Sequence, residues 1–375
     1  MTRTFPAMAR RTGYADLPLH GGHAPRWLFD RMARLAPAIV EAIVLEREPH
    51  AVLERLSDPH WFQAFGCVLG FDWHSSGITT TVCGALKAGL SGRERDLGLW
   101  VAGGKGQASR KTPEELERIG EALAIDGGAL AYTSRMSAKV DSAAVQDGFS
   151  LYHHAFFVTD DGRWAVVQQG MRDADGSARR YHWLGSGVRD LVVEPHAAIA
   201  SDSRAELVLD LTARDSGGAR EASVALAREE PGRVLREAER AAADAARIAT
   251  LRMPDRHAID VARDILPRNL RSVLLTTYEA APTGFEELLA LPGVGARAVR
   301  ALALLAEIVH GAPASARDPA RFSFAHGGKD GHPYPVDRRT YDASIEWLRE
   351  AVTRARLGRT DRMDALRRLA RFPAA

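Results

Sequence analysis

The chain has 375 residues, 46% hydrophobic and 26% charged, an ordinary composition for a folded soluble protein of two or three domains. Its 50 Lys and Arg against 48 Asp and Glu give a formal net charge of +2, which excludes a polycation that coats nucleic acid through bulk charge; any such site must be local. Two cysteines, Cys67 and Cys83, exclude a disulfide scaffold and four-cysteine zinc modules, and no secretory h-region or apolar run of about 18 residues is present, so a cytoplasmic protein without a membrane partner is expected.

The first segment reads as helices joined by loops. Apolar residues recur at three- and four-residue spacings over 27–45 and 49–56. Asp58 or Thr112 would serve as an N-cap, and Thr112-Pro-Glu-Glu-Leu starts a helix, with Pro in its first turn and acids at its positive end. Polar and glycine-rich loops interrupt these helices. They are the His20-Gly-Gly-His23 opening, the Asp72-Trp-His74-Ser75 loop, and Gly103-Gly-Lys105-Gly106, which is too short for a Walker A loop. Ser75 lacks the Gly-x-Ser-x-Gly flanks of a nucleophile elbow. From Phe149 the period becomes two, which predicts strands over 151–159 and 163–170 joined by Asp160-Asp161-Gly162, a hairpin signal. Short strands are expected at 181–184, 191–194 and 205–211. Beyond 212–218 the pattern is helical again: 231–250 is rich in Ala and Arg with no breaker, and 360–371 reads as a basic terminal helix.

These elements predict an α+β protein: a mixed N-terminal domain over 1–215 with an antiparallel, hairpin-containing sheet, then an all-α domain over 231–375. Charge follows the division. Residues 231–375 carry 24 Lys and Arg against 18 Asp and Glu, whereas the first 230 carry 26 against 30. The basic half is therefore the expected nucleic-acid face. Only five cations are lysine (Lys87, Lys105, Lys111, Lys139 and Lys329), so positions that keep a compact ammonium in an arginine-rich chain stand out.

The sharpest motif is Phe285-Glu-Glu-Leu-Leu-Ala-Leu291-Pro-Gly293-Val294-Gly295-Ala-Arg297-Ala-Val-Arg300. A short helix ending near Pro292 and a second beginning after Gly295 would aim the amides of 293–297 at an anion, favoured there by the helix dipole. Such a turn holds a nucleic-acid phosphate without reading sequence. Arg297 and Arg300 would add charge, and Val294 would plug the space between the helices. The segment resembles the helix-hairpin-helix motif of DNA repair and replication proteins. Further on, Pro335-Val336-Asp337 resembles the Pro-Val-Asp of the helix-hairpin-helix DNA glycosylases, which makes Asp337 an alternative catalytic acid that assists loss of a base. The chain departs from that family in the 42 residues between Gly295 and Asp337 and in Ala296-Arg297, where a lyase-type lysine would stand. Lys329, in Gly327-Gly-Lys-Asp-Gly331, is a further candidate DNA contact.

Residues 134–183 concentrate functional groups. Lys139, Asp141 and Asp147 are spaced to hold Mg or Mn on oxygen ligands for phosphodiester hydrolysis, with His153, His154 or His182 as general base. On strands, adjacent residues face opposite ways, so only one of His153 and His154, and one of Gln168 and Gln169, can join a given site.

Six motifs lie between residues 17 and 183: Leu17-Pro-Leu-His-Gly-Gly22, Gly70-Phe-Asp-Trp-His-Ser-Ser-Gly77, Gly103-Gly-Lys-Gly106, Lys139-Val-Asp141 with Gln146-Asp-Gly148, Gln168-Gln-Gly-Met171 and Arg180-Tyr-His-Trp183. On these the chain resembles the uncharacterised prokaryotic domain-of-unknown-function family number 763, a resemblance that implies a fold and no mechanism. The residues lead to a DNA repair or processing protein, foremost a metal-dependent DNA nuclease. A glycosylase using Asp337 and a non-catalytic DNA-binding accessory protein are the alternatives.

Overall fold

Five strands in the middle of the chain form one antiparallel sheet, and helices cover both of its faces. The structure, a computed structural model, describes residues 24–71, 77–174, 176–201, 205–244, 257, 267–321 and 338–369. The strands are β1 (Leu99–Lys105), β3 (Ser150–Thr159), β4 (Trp164–Met171), β5 (Ala178–Leu184) and β6 (His196–Ser201), in the order β1-β3-β4-β5-β6. A separate two-stranded ladder joins β2 (Val145–Gln146) to β7 (Leu209–Asp210). The β3–β4 hairpin turns at 160–162, where the Thr159 N–H donates to the Arg163 carbonyl at 2.9 Å.

Strand alternation divides the core. Ala102, Phe156, Val158, Val166 and Trp183 point to one face. There they meet α7 (Thr112–Leu123), α8 (Gly127–Lys139), α9 (Gly217–Arg228), α10 (Pro231–Asp244), α11 (Pro267–Ala280), α12 (Phe285–Ala290) and α13 (Ala296–His310). Leu99, Ala155, Phe157, Ala165 and Val167 point to the other. That face packs on α1 (Arg26–Arg47), α2 (His50–Ser57), α3 (Pro59–Val68), α4 (Ile78–Leu90), the end of α5 (Glu94–Leu97), and then α14 (Arg338–Arg354) and α15 (Arg359–Leu369). A strand buried on both faces reads as a nearly continuous apolar run, and Ala155–Val158 is one. α3 starts as its sequence requires: the Asp58 carboxylate accepts the His60 and Trp61 N–H groups at 2.8 and 3.1 Å, with Pro59 in the first turn.

Two expectations change. The segment 191–194 is not a strand: the Asp190 carboxylate accepts the Val192 and Val193 N–H groups at 2.7 and 2.8 Å, which folds it into a side-chain-closed turn. Of 205–211, only Leu209–Asp210 pairs in a ladder. Beyond 212, α9–α13 pack on one face of the sheet and α14–α15 return to the other.

Candidate functional site

The polar residues of 134–183 separate onto the two faces of the sheet, as alternation requires. His154, Gln168, Tyr181 and Trp183 face α8, and His153, Gln169, Arg180 and His182 face α2–α4.

On the first face the groups form a buried chain of hydrogen bonds. Helix α8 ends at Lys139, and a π-helical turn, Val140–Ala144, follows and swings Asp141 toward the sheet. Asp141 is fully buried and accepts from Gln168 Nε2 at 2.5 Å, Trp183 Nε1 at 3.0 Å and His196 Nε2 at 2.5 Å. With its amide nitrogen turned to Asp141, Gln168 presents Oε1 to His154 Nδ1 at 2.8 Å. His154 Nε2 is then the acceptor for the Ser134 hydroxyl at 2.9 Å. Burial pushes the Asp141 carboxyl up, while His196 and Trp183 act in the opposite sense. Burial lowers His154 to about 4, although Gln168 opposes this, so the imidazole is neutral.

Asp147 belongs to a neighbouring cluster. Its Oδ2 accepts from Arg179 Nη1 at 2.9 Å and from the Tyr181 hydroxyl at 2.7 Å, and its Oδ1 accepts the Phe149 N–H at 3.1 Å. Arg179 also grips Asp318 through both terminal nitrogens, at 2.9 and 2.7 Å. The Arg179 guanidinium thus stands between the carboxylates of Asp147 and Asp318.

This donor set does not fit the Mg or Mn centre expected from Asp141 and Asp147. Both carboxylates already accept from N–H and O–H donors, and among the described residues no three or more His, Cys, Asp and Glu side chains gather to hold a metal ion. Lys139 also leaves the expected catalytic group, because its ammonium points away from Asp141 to the turn described below. Acidic spacing along the chain says nothing about which donors each acid meets. His196, 55 residues from Asp141, has no distinguishing sequence context.

On the second face, Thr79 donates to Gln169 Oε1, and Gln169 Nε2 donates to the Tyr152 hydroxyl at 2.5 Å. Arg180 reaches Gln63 Oε1 at 3.1 Å and stacks on Phe62. His182 Nδ1 donates to the Leu56 carbonyl at 2.9 Å. His153 is buried, and neither of its ring nitrogens has a partner among the described residues; burial, with His154 and Lys105 adding to it, lowers it to about 3.

The second candidate region is the turn from α12 to α13. Leu291 leaves α12 in an extended conformation, Gly293 takes a left-handed φ of 82°, and Gly295 precedes α13 with φ −118°. Val294 is fully buried between the helices, and Arg297 is exposed. Arg300, expected to face a phosphate, is instead buried at 7% exposure and donates to Gln146 Oε1 at 2.9 Å, since its place on the helix is the inward side. Gly295 offers α13 no side-chain cap. A cavity of about 380 Å³ opens there, lined by Leu270 and Val273 of α11 and by Gly293, Gly295, Ala296, Arg297 and Ala298. Lys329, Asp337, the His20 and His23 pair and the Asp72–Ser75 loop lie outside the described residues.

The class defined by this architecture is a mixed α and β protein whose antiparallel sheet lies between two helical layers. The chain belongs to the family described as "Protein of unknown function (DUF763)", which matches residues 13–336. All six motifs quoted above fall inside that range. No curated protein and no solved structure matches the chain.

Proposed function

We propose that this is a DNA-binding protein of repair or processing that grips backbone phosphate at the turn between α12 and α13. The carrying observation is Gly295. Its φ of −118° is open to any residue, and a Cβ built there meets nothing within 4 Å. The fold does not require glycine at this position. The missing Cβ leaves the backbone there open to close approach by a ligand.

The neighbouring chemistry agrees. The first N–H groups of an α-helix have no intrahelical acceptor, and α13 is long enough to present a full dipole. Arg297 supplies charge at the rim, and residues 231–375 carry the surplus of cations. These groups recognise the phosphodiester and not the base, so binding should be sequence-independent and steeply salt-dependent. The hydrolase reading would require Asp141 and Asp147 to leave their present donors. The glycosylase reading rests on Asp337. Binding is the reading that the geometry supports best.

Gly295→Asp separates binding from folding. An aspartate at this position would cap α13, which stabilises the helix by about a few tenths of a kcal/mol relative to glycine, while placing a carboxylate in the anion site. The melting temperature should hold or rise. Affinity for a labelled duplex should fall at least about tenfold, with the salt slope reduced by about one phosphate contact, roughly 0.9. Unchanged affinity at every salt concentration would remove the turn from the reading.

A further inference from the structure

We infer that Lys139 and Gln146, which flank the buried Asp141, are positioning residues that hold the carbonyls of the α12–α13 turn inward, behind the first N–H groups of α13. This rests on the phosphate-binding reading of the turn.

Lys139 Nζ donates to the Val294 carbonyl at 2.6 Å and to the Leu291 carbonyl at 3.3 Å. Gln146 Nε2 donates to the Ala296 carbonyl at 2.7 Å, and Gln146 is itself fixed by Arg300 at 2.9 Å. About two helical turns before Lys139 and on the same helix, α8, the Tyr132 hydroxyl donates to Glu286 at 2.8 Å and ties down the start of α12. Within the turn, the Gly293 carbonyl accepts the Gly295 N–H at 3.1 Å. Every one of these carbonyls is thereby held by a donor on the protein side. A carbonyl that swung outward would present partial negative charge to a phosphate, so holding them keeps the anion face positive.

The residue type at 139 fits this task. Two converging carbonyl oxygens suit a compact ammonium with three donors better than a planar guanidinium, and Lys139 is one of only five lysines among 50 cations. The half-buried ammonium also lies behind the amide face, where its charge adds to the field at the anion site.

The test compares Lys139→Met and Lys139→Arg in the full-length protein, by hydrogen exchange at 293–298 without DNA and by affinity for a labelled duplex. Lys139→Met is expected to speed exchange at the turn and to weaken binding about tenfold. Lys139→Arg should restore part of both. In combination with Gly295→Asp, Lys139→Met should add little, because both act on one contact. Unchanged exchange in Lys139→Met overturns the inference, and so does altered exchange with unchanged affinity. If the unmodified protein binds no DNA at any salt concentration, the functional reading fails, while hydrogen exchange still decides whether Lys139 holds the turn.

Discussion

At the scale of single residues, His153 differs from the groups around it. His154 is tied to Gln168 and Ser134, and Asp141 to three donors, but His153 is buried with two nitrogens that no described residue satisfies. In the folded chain His153 sits at about 3 and His154 at about 4, against an ordinary 6.5. Below pH 6.5 the unfolded chain takes up protons that the folded chain refuses. Stability is therefore intact above that value and declines as the pH falls toward 4 and then 3. At pH 5 each histidine should account for about 2 kcal/mol of loss. His153→Leu removes one of these proton sites along with two unsatisfied nitrogens, so it should stabilise the protein by about 1 kcal/mol at neutral pH. It should also remove about a third of the loss that the three buried, down-shifted histidines, His153, His154 and His182, cause between pH 7 and 5, as read by urea unfolding; an unchanged acid slope would assign the sensitivity elsewhere. Sequence could place His153 and His154 on opposite faces because a strand has a fixed period. It could not pair Asp141 with His196, since that contact depends on how the π-helical turn after α8 meets the far edge of the sheet.

At the scale of elements, the glycines of 103–106 have a structural explanation. Gly103 has φ of 87°, and a Cβ there would lie 2.3 Å from the His154 carbonyl oxygen and 2.6 Å from the Thr112 hydroxyl. Its own N–H donates to Glu115 at 2.7 Å, and its carbonyl accepts from Lys87 at 2.9 Å, so side chains of α4 and α7 complete the edge of β1. Because the obstructing atom is backbone, it cannot yield without disturbing the β1–β3 pairing. Gly103→Ala should cost about 2–4 kcal/mol in urea unfolding, combining left-handed strain with the clash; a loss below about 1 kcal/mol would mean that β1 adjusts freely. The same contrast explains which elements were legible. The hairpin at 160–162 and the cap at Asp58 are set by neighbouring residues, and sequence placed both. The segment 191–194 has strand composition, but the Asp190 side chain competes successfully for its amides. Lys139 carried a chemical signature without a direction, and only the packing of α8 against the α12–α13 turn supplies one.

At the scale of the whole molecule, composition suggested two opposed halves, whereas packing joins them. Charge changes sign near residue 231, yet the helices beyond that point do not enclose a core of their own. α10–α13 share theirs with Trp183, Phe156 and the π-helical turn, and α14 and α15 place Leu348, Val352, Ala365 and Leu369 with Trp61 and Phe65 on the opposite side of the sheet. A fragment spanning 231–375 would thus consist of two helical groups that normally cover opposite faces of a sheet it lacks. Its partner, 1–230, would keep the strands but expose apolar surface on both sides. Buried apolar area is the main term that favours folding, and neither fragment retains enough of it around one centre. The intact chain should unfold in one cooperative transition when followed by far-ultraviolet circular dichroism and by tryptophan fluorescence. Each fragment expressed alone should show no such transition, and co-expression should recover a soluble complex. A fragment 231–375 that unfolds cooperatively by itself, or two separated transitions in the intact chain, would instead make the change of charge a true domain boundary, with the α12–α13 turn on a module independent of Lys139.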